Sequence, residues 1–233
     1  MNLIKETVVS IYFESKQRHG SPRMIFELQS LGYEISRITV AKYMKQMGLR
    51  RKLSKKFKIT TDSKYNYLIV ENVLNRQFTP KSPSKVWVLD IIYIHTKKGF
   101  LHLTTIIDLS DRKIIGWSLS NTMSTQDTIL SAWRMATRNR TVEAGLIFHS
   151  DRSVQYANNK FANVLNSCKK ITRNMSRKGN CWDNALAESF FRSSKAELIC
   201  GNKLISKDQM KLEIFIHIEI WYNKKRRHSV LNY

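Results

Sequence analysis

The stretch VWVLDIIYIHT, residues 86–96, decides how the rest of the chain is read. It is rich in β-branched and aromatic residues and contains no Gly or Pro, the composition of a buried strand. One residue interrupts it: Asp90, at its centre. An isolated carboxylate in a buried strand is costly unless it is paired or bound to metal.

Working outward, GFLHLTTIIDLSDRKIIGWSLS (99–120) reads as two further strands joined by a turn at Ser110-Asp111. STQDTILSAWRMATRNR (124–140) reads as a helix capped by Ser124 or Thr125. GLIFHS (145–150) is a short apolar strand, NNKFANVLNSC (158–168) a helix, and KKITRNMS (169–176) a strand or extended loop. Residues 183–199 and the start of SKDQMKLEIFIHIEIWYNKKRRHSVLNY (206–233) are helical, the latter ending in a basic tail. Three meandering strands followed by alternating helix and strand predict a mixed sheet flanked by helices, an α/β fold.

Upstream, three short apolar-striped segments precede a basic run. Residues 3–18 carry Ile4, Val8, Ile11 and Tyr12 at helical spacing. Ser21 and Pro22 suit the start of a second helix, stopped by Gly32; Ser36 caps a third, stopped by Gly48. This layout predicts a small helical helix-turn-helix module whose third helix offers Arg37, Lys42 and Lys45 to DNA. A plain helical bundle is the alternative. RRKLSKKF (50–57) follows, with Arg50, Arg51, Lys52, Lys55 and Lys56 placed to track a phosphate backbone. The expected organisation is a DNA-binding module at 1–49, a basic linker at 50–84, a catalytic core at 85–200, and a C-terminal helix and basic tail at 201–233.

Charge narrows the partner. The 233 residues hold 40 Lys and Arg against 18 Asp and Glu, a net charge of +22, which calls for a polyanion, most simply nucleic acid. An anionic membrane surface would also serve, but no apolar run is long enough to span a bilayer and no membrane association is expected. The N-terminus lacks a signal-peptide pattern. Three cysteines without a C-x-x-C pair fit a reducing compartment, and the scattered histidines form no zinc spacing.

In so basic a chain the acids stand out. Asp90 sits mid-strand, Asp151 directly follows GLIFHS, and Glu188 lies one turn inside the last core helix, with Arg192 and Lys195 on its face as candidate DNA contacts. Strand centre, strand end and facing helix form a trio able to hold two Mg²⁺ or Mn²⁺ ions, hard cations that take oxygen ligands. Asp183 competes for the third place. Five helical steps separate it from Glu188, about 140° around the axis, so Glu188 is assigned to metal and Asp183 to capping the helix. Asp108, at the end of the second strand, reads as structural.

VWVLDIIYIHT, IIDLSDRKIIGWSLS (106–120), HSDRSVQYA (149–157), SRKGNCWDNALAESFFRSSKAEL (176–198) and YNKKRRHSVLNY (222–233) resemble the catalytic subunit of bacterial insertion-sequence transposases with a retroviral-integrase-like core. The resemblance implies a ribonuclease H-like fold and a catalytic triad of Asp90, Asp151 and Glu188. It further implies metal-dependent DNA cleavage and strand transfer by in-line phosphoryl transfer, on double-stranded element ends and target DNA. It implies a homo-oligomer on DNA, a partner from an upstream reading frame, and a cytoplasmic, nucleoid-associated setting. Two other readings stand beside it. A non-catalytic helix-turn-helix protein, or an inactive truncated transposase, would need only the N-terminal module. A tyrosine recombinase would use His149, Arg152 and Tyr233.

Overall fold

The computed structural model describes residues 2–51, 70–75, 77–151, 159–177, 183, 185–194, 197, 205–226 and 228. They fall into two compact units.

The first unit is built on α1 (Asn2–Glu14), α2 (Ser21–Ser30) and α3 (Arg37–Gln46). Val8 and Tyr12, Met24 and Leu28, and Val40 and Met44 are each spaced by one helical turn, and the three pairs meet in one buried cluster. Ser36 caps α3 as expected, its hydroxyl accepting the Thr39 N–H at 3.1 Å. Ser21 does not cap α2. It is already helical, Gly20 is the residue before it, and no side chain bonds that end. The Gly20 carbonyl accepts the Met24 N–H and Pro22 presets a helical φ, so the helix starts without a hydroxyl. Gly32 and Gly48 end their helices with φ of 84° and 66°, the left-handed conformation that favours glycine. The Tyr12 hydroxyl donates to the Arg50 carbonyl at 2.6 Å and anchors the start of the basic run to α1.

The second unit is a five-stranded sheet of β1 (Val86–Thr96), β2 (Gly99–Asp108), β3 (Ile114–Ser120), β4 (Leu146–Ser150) and β5 (Ile171–Met175), in the order β3-β2-β1-β4-β5. The β1–β2 and β2–β3 pairs are antiparallel hairpins, whereas β1–β4 and β4–β5 are parallel. Parallel neighbours need crossovers. The first is a π-helical turn at Gln126–Leu130 that runs into α4 (Ser131–Asn139); the second is α5 (Asn159–Ser167). Ser124 caps the first, accepting the Asp127 N–H and donating to its carboxylate. The 169–176 stretch resolves as strand β5.

One sheet face carries Trp87, Leu89, Ile106, Ile115, Leu146 and Phe148 against Trp133 and Ala136 of α4 and Phe161 and Leu165 of α5. Gly116 lets α4 approach: a Cβ there would stand 2.2 Å from the Ala132 carbonyl oxygen. The opposite face carries Trp117. Its ring meets Phe215 at 6.3 Å and its Nε1 donates to Glu219 at 2.7 Å. These belong to α7 (Lys207–Phe215) and its π-helical continuation, Ile216–Lys225, whose Asn223 amide bonds both the N–H and the carbonyl of Ile114. The C-terminal helix therefore packs as part of the sheet unit. The sixth helix, α6 (Ala185–Ser194), joins it through Phe190 against Tyr222, 4.8 Å apart.

Asp108 closes this unit. Fully buried, it accepts the N–H of Ser84 and of Ser110, the Ser110 hydroxyl, the Trp87 indole and Arg140, at 2.7–3.1 Å. Burial alone would raise its carboxyl pKa; the amides of Ser110 and Ser84, with Arg140 and the Ser110 hydroxyl, more than offset this and hold it below 3.8. Asp108→Asn should cost about 2–4 kcal/mol at neutral pH, read from chemical denaturation. Because the folded pKa is lowered, the charge contributes fully above about pH 4 and is lost as pH falls through the folded value. The gap between wild type and variant should therefore narrow toward pH 3. An equal gap at pH 7 and pH 3 would place the stabilisation elsewhere.

Candidate active site

Strand register positions the acids. Asp90 lies directly opposite Thr105 on β2, and Thr105 opposite Trp117 on β3, so all three share the face covered by α7. On the other side of β1, Val88 pairs with His149 in parallel register. Asp90 is two residues beyond Val88 in the middle of β1, and Asp151 is two beyond His149, directly after the carboxyl end of β4, the end at which crevices open in sheets with parallel strands. Both are half-buried, and the Asp90 carboxylate accepts the Ile91 N–H at 2.7 Å. Glu188 is half-buried in the first turn of α6, the helix that packs Phe190 against Tyr222. Among the described residues, no three His, Cys, Asp or Glu side chains gather closely enough to form a metal cage.

Behind Asp151 lies a polar network the sequence did not announce. His149 is fully buried, with Nδ1 against the Asn174 amide nitrogen and Nε2 3.2 Å from the Ser176 hydroxyl. The amide donates, so Nδ1 accepts and Nε2 carries the proton. Burial lowers the imidazole to about 4, against the pull of Asp183, so the ring is neutral. The Asn174 side-chain oxygen Oδ1 accepts the Leu74 N–H at 3.0 Å and ties residues 70–75 to the edge of the sheet. The only sequence signal for this network is polar residues at inward strand positions, which does not separate structure from function. Buried and satisfied, His149 has no nitrogen to offer a DNA phosphate, as a tyrosine recombinase would require. Arg152 and Tyr233 lie outside the described residues.

The positive candidates divide. Arg37, Lys42 and Lys45 on α3, with Arg50 and Arg51 after it, are all exposed. Lys52, Lys55, Lys56, Lys195 and the side chain of Arg192 lie outside the described residues.

Asp183, expected to cap a helix, is the centre of a hydrogen-bonded cluster. Its carboxylate is buried and accepts the Arg177 backbone N–H at 2.9 Å, Arg177 Nε at 2.9 Å, Arg177 NH2 at 2.8 Å and the Asn72 amide at 2.8 Å. The bonds from Asp183 raise the Arg177 pKa. An asparagine can cap a helix but cannot hold this guanidinium with two acceptor oxygens. Asp183→Asn should therefore lower Tm by roughly 5–8 °C. A thermal scan showing no change would return Asp183 to a simple capping role.

A family model described as an integrase core domain matches residues 80–181, a second of the same description matches 169–233, and an HTH-like domain matches 2–57. Transposase InsF for insertion sequence IS3A of Escherichia coli K12 is 39% identical over 95% of this chain and 76% of its own length. The insertion element IS600 uncharacterized 31 kDa protein of Shigella sonnei is 35% identical over 98% of this chain and 83% of its own. Among solved structures, a chain of the simian T-cell lymphotropic virus intasome in complex with PP2A regulatory subunit B56 gamma aligns with a TM-score of 0.50 and 10% identity, over 91% of this chain and 69% of that one. That last likeness speaks to fold, and it agrees with a ribonuclease H-like mixed sheet. With a helix-turn-helix-like region followed by an integrase core, and identity sustained along almost its whole length, the chain belongs to the IS3-type family of insertion-sequence transposases, DNA transposases with an integrase core.

Proposed function

We propose that this chain is the catalytic subunit of its element, cleaving DNA at the element ends and joining them to target DNA, with Asp90, Asp151 and Glu188 as a metal-binding triad. The observation that supports the reading is that Asp90, in the middle of β1, and Asp151, directly after β4, belong to neighbouring parallel strands. The donors fit hard divalent cations, Mg²⁺ or Mn²⁺: all are half-buried carboxylates, and His149, two residues before Asp151, is engaged by Asn174 and Ser176. Two such ions bound there would stabilise the attacking and leaving oxygens of an in-line displacement.

The chain's own groups do the rest. In this reading Asp90 comes from β1, Asp151 from just after β4 and Glu188 from the first turn of α6. Asp183 is held in a buried pair by Arg177 and Asn72, which supports a structural use for it and the assignment of the third ligand to Glu188. Water is the nucleophile at the element end and the freed 3′-hydroxyl in strand transfer. Joining two ends requires at least two active sites, so the working form is a homo-oligomer on double-stranded DNA, together with the product of an upstream reading frame. Its setting is the bacterial cytoplasm, on nucleoid DNA. No helix among the described residues is long and apolar enough to cross a membrane.

The test is nicking of a labelled duplex carrying the inverted repeat that flanks the gene. Asp90→Asn, Asp151→Asn and Glu188→Gln should each lower the nicking rate roughly 100-fold or more, and pairs should lose little beyond singles because ligands of one site act as a unit. Chelation by EDTA should stop nicking and spare DNA binding. Full activity in Glu188→Gln would remove Glu188 from the triad. Activity in EDTA would remove the metals, and DNA binding with no cleavage under any divalent ion would favour a non-catalytic protein.

A further inference from the structure

The exposed face of α3 is not uniformly basic. Val40 and Met44 point into the core, and the opposite side of the helix presents Arg37, Ile38, Ala41, Lys42 and Lys45, all exposed. Ile38 is 81% exposed, the most exposed large apolar side chain among the described residues. It is the second residue of α3, with Arg37 before it, Ala41 and Lys45 three and seven residues on, and Lys42 one turn away. Single exposed apolar residues are ordinary. This one is β-branched, stands at the N-terminal end of the third helix of a helix-turn-helix-like module, and is ringed by cations.

We propose that Ile38, with Ala41 beside it, reads thymine in the major groove by packing its methyl groups against the C5-methyl of the base, while Arg37, Lys42 and Lys45 hold the flanking phosphates or base edges. The inference rests on the assignment of this module to DNA binding under the proposed function, and adds to it a residue that sets sequence preference. The chemistry is selective. Residues at the N-terminal end of a reading helix are the ones that reach base edges. Among the four bases only thymine places a methyl group in the major groove, and apolar side chains are its recognition partners. A cation-ringed isoleucine favours an anionic duplex over an apolar protein groove, where Arg37, Lys42 and Lys45 would lose solvent without gaining partners.

The experiment uses the full chain. A preferred duplex is selected from a random-sequence pool, and each thymine in it is replaced in turn by deoxyuridine, which deletes only the C5-methyl. One or two replacements should weaken wild-type binding about threefold to fivefold, the effect of losing one buried methyl group. Ile38→Ala should bind the selected duplex more weakly by a similar factor and be indifferent to those same replacements. Its affinity for non-selected DNA and its salt dependence should match wild type, because phosphate contacts are untouched. Ile38 is solvent-exposed, so the variant keeps its fold, and an unchanged Tm checks this. Arg37→Ala, Lys42→Ala and Lys45→Ala form a separate arm: if they weaken binding while no deoxyuridine effect depends on residue 38, the thymine contact is wrong and the DNA-binding module stands. If none of the three weakens binding, both assignments fall. A change in self-association in Ile38→Ala, with its DNA preference unaltered, would identify Ile38 as a contact between protein chains and overturn the proposal.

Discussion

The parallel register between β1 and β4 is the constraint on which the rest of the core depends. Side chains on a strand alternate between faces, so a slip of one residue would exchange every side chain of β4 between the two sides of the sheet. Phe148 would leave the cluster of Trp133 and Phe161, where its ring sits 5.3 and 5.6 Å from theirs. His149 would leave Asn174 and Ser176 and enter that apolar cluster. Both penalties act in the same direction, so an aromatic residue and its polar neighbour together fix the level at which β4 ends. Asp151 is the first residue after the strand that this pairing fixes. The long crossover through α4 has to fit the same register, and Gly116 allows it to do so by letting the helix backbone approach β3.

A chain of +22 net charge has few acids, and where they lie is informative. Asp108 and Asp111 hold Arg140 with bonds of 2.7 and 2.8 Å, Asp183 holds Arg177, and Asp127 engages Ser124 and Thr122 at the start of a helix. These are structural uses, each with a hydrogen-bond donor that accounts for the charge. Asp90, Asp151 and Glu188 differ from these in being half-buried, the first in mid-β1, the second directly after β4 and the third in the first turn of α6. Meanwhile the exposed cations of α3 and of Arg50 and Arg51 form a surface that costs nothing to fold, because long basic side chains remain in water until a polyanion displaces their counterions.

Much of this was legible because it rests on short-range rules. The three strands around Asp90, the turn at Ser110-Asp111 and the caps at Ser36 and Ser124 follow from alternation and local hydrogen bonding. Ser21 misled because Pro22 and the Gly20 carbonyl can begin a helix without a hydroxyl, and a Ser-Pro pair looks the same in both cases. The π-helical geometry at Gln126–Leu130 and Ile216–Lys225 was not legible, since composition carries no signal for a widened helical turn. The bonds of His149 to Asn174, and of Asp183 to Asn72, join residues far apart in sequence, and single-chain patterns carry no signal for such pairings.

The Asp183 cluster shows how such a distant pairing matters for the site. β5 ends at Met175, Ser176 contacts the buried His149, and Arg177 grips Asp183 through its backbone N–H and its guanidinium. The chain is thus fastened at both ends of a span of a few residues, and Asn72 fastens Asp183 from a third direction. Five residues after Asp183 comes Glu188. Any movement of Asp183 would strip a fully desolvated anion of its donors. Asp183 therefore fixes the chain just ahead of α6, and an acid with a structural use stands five residues before one proposed as a ligand.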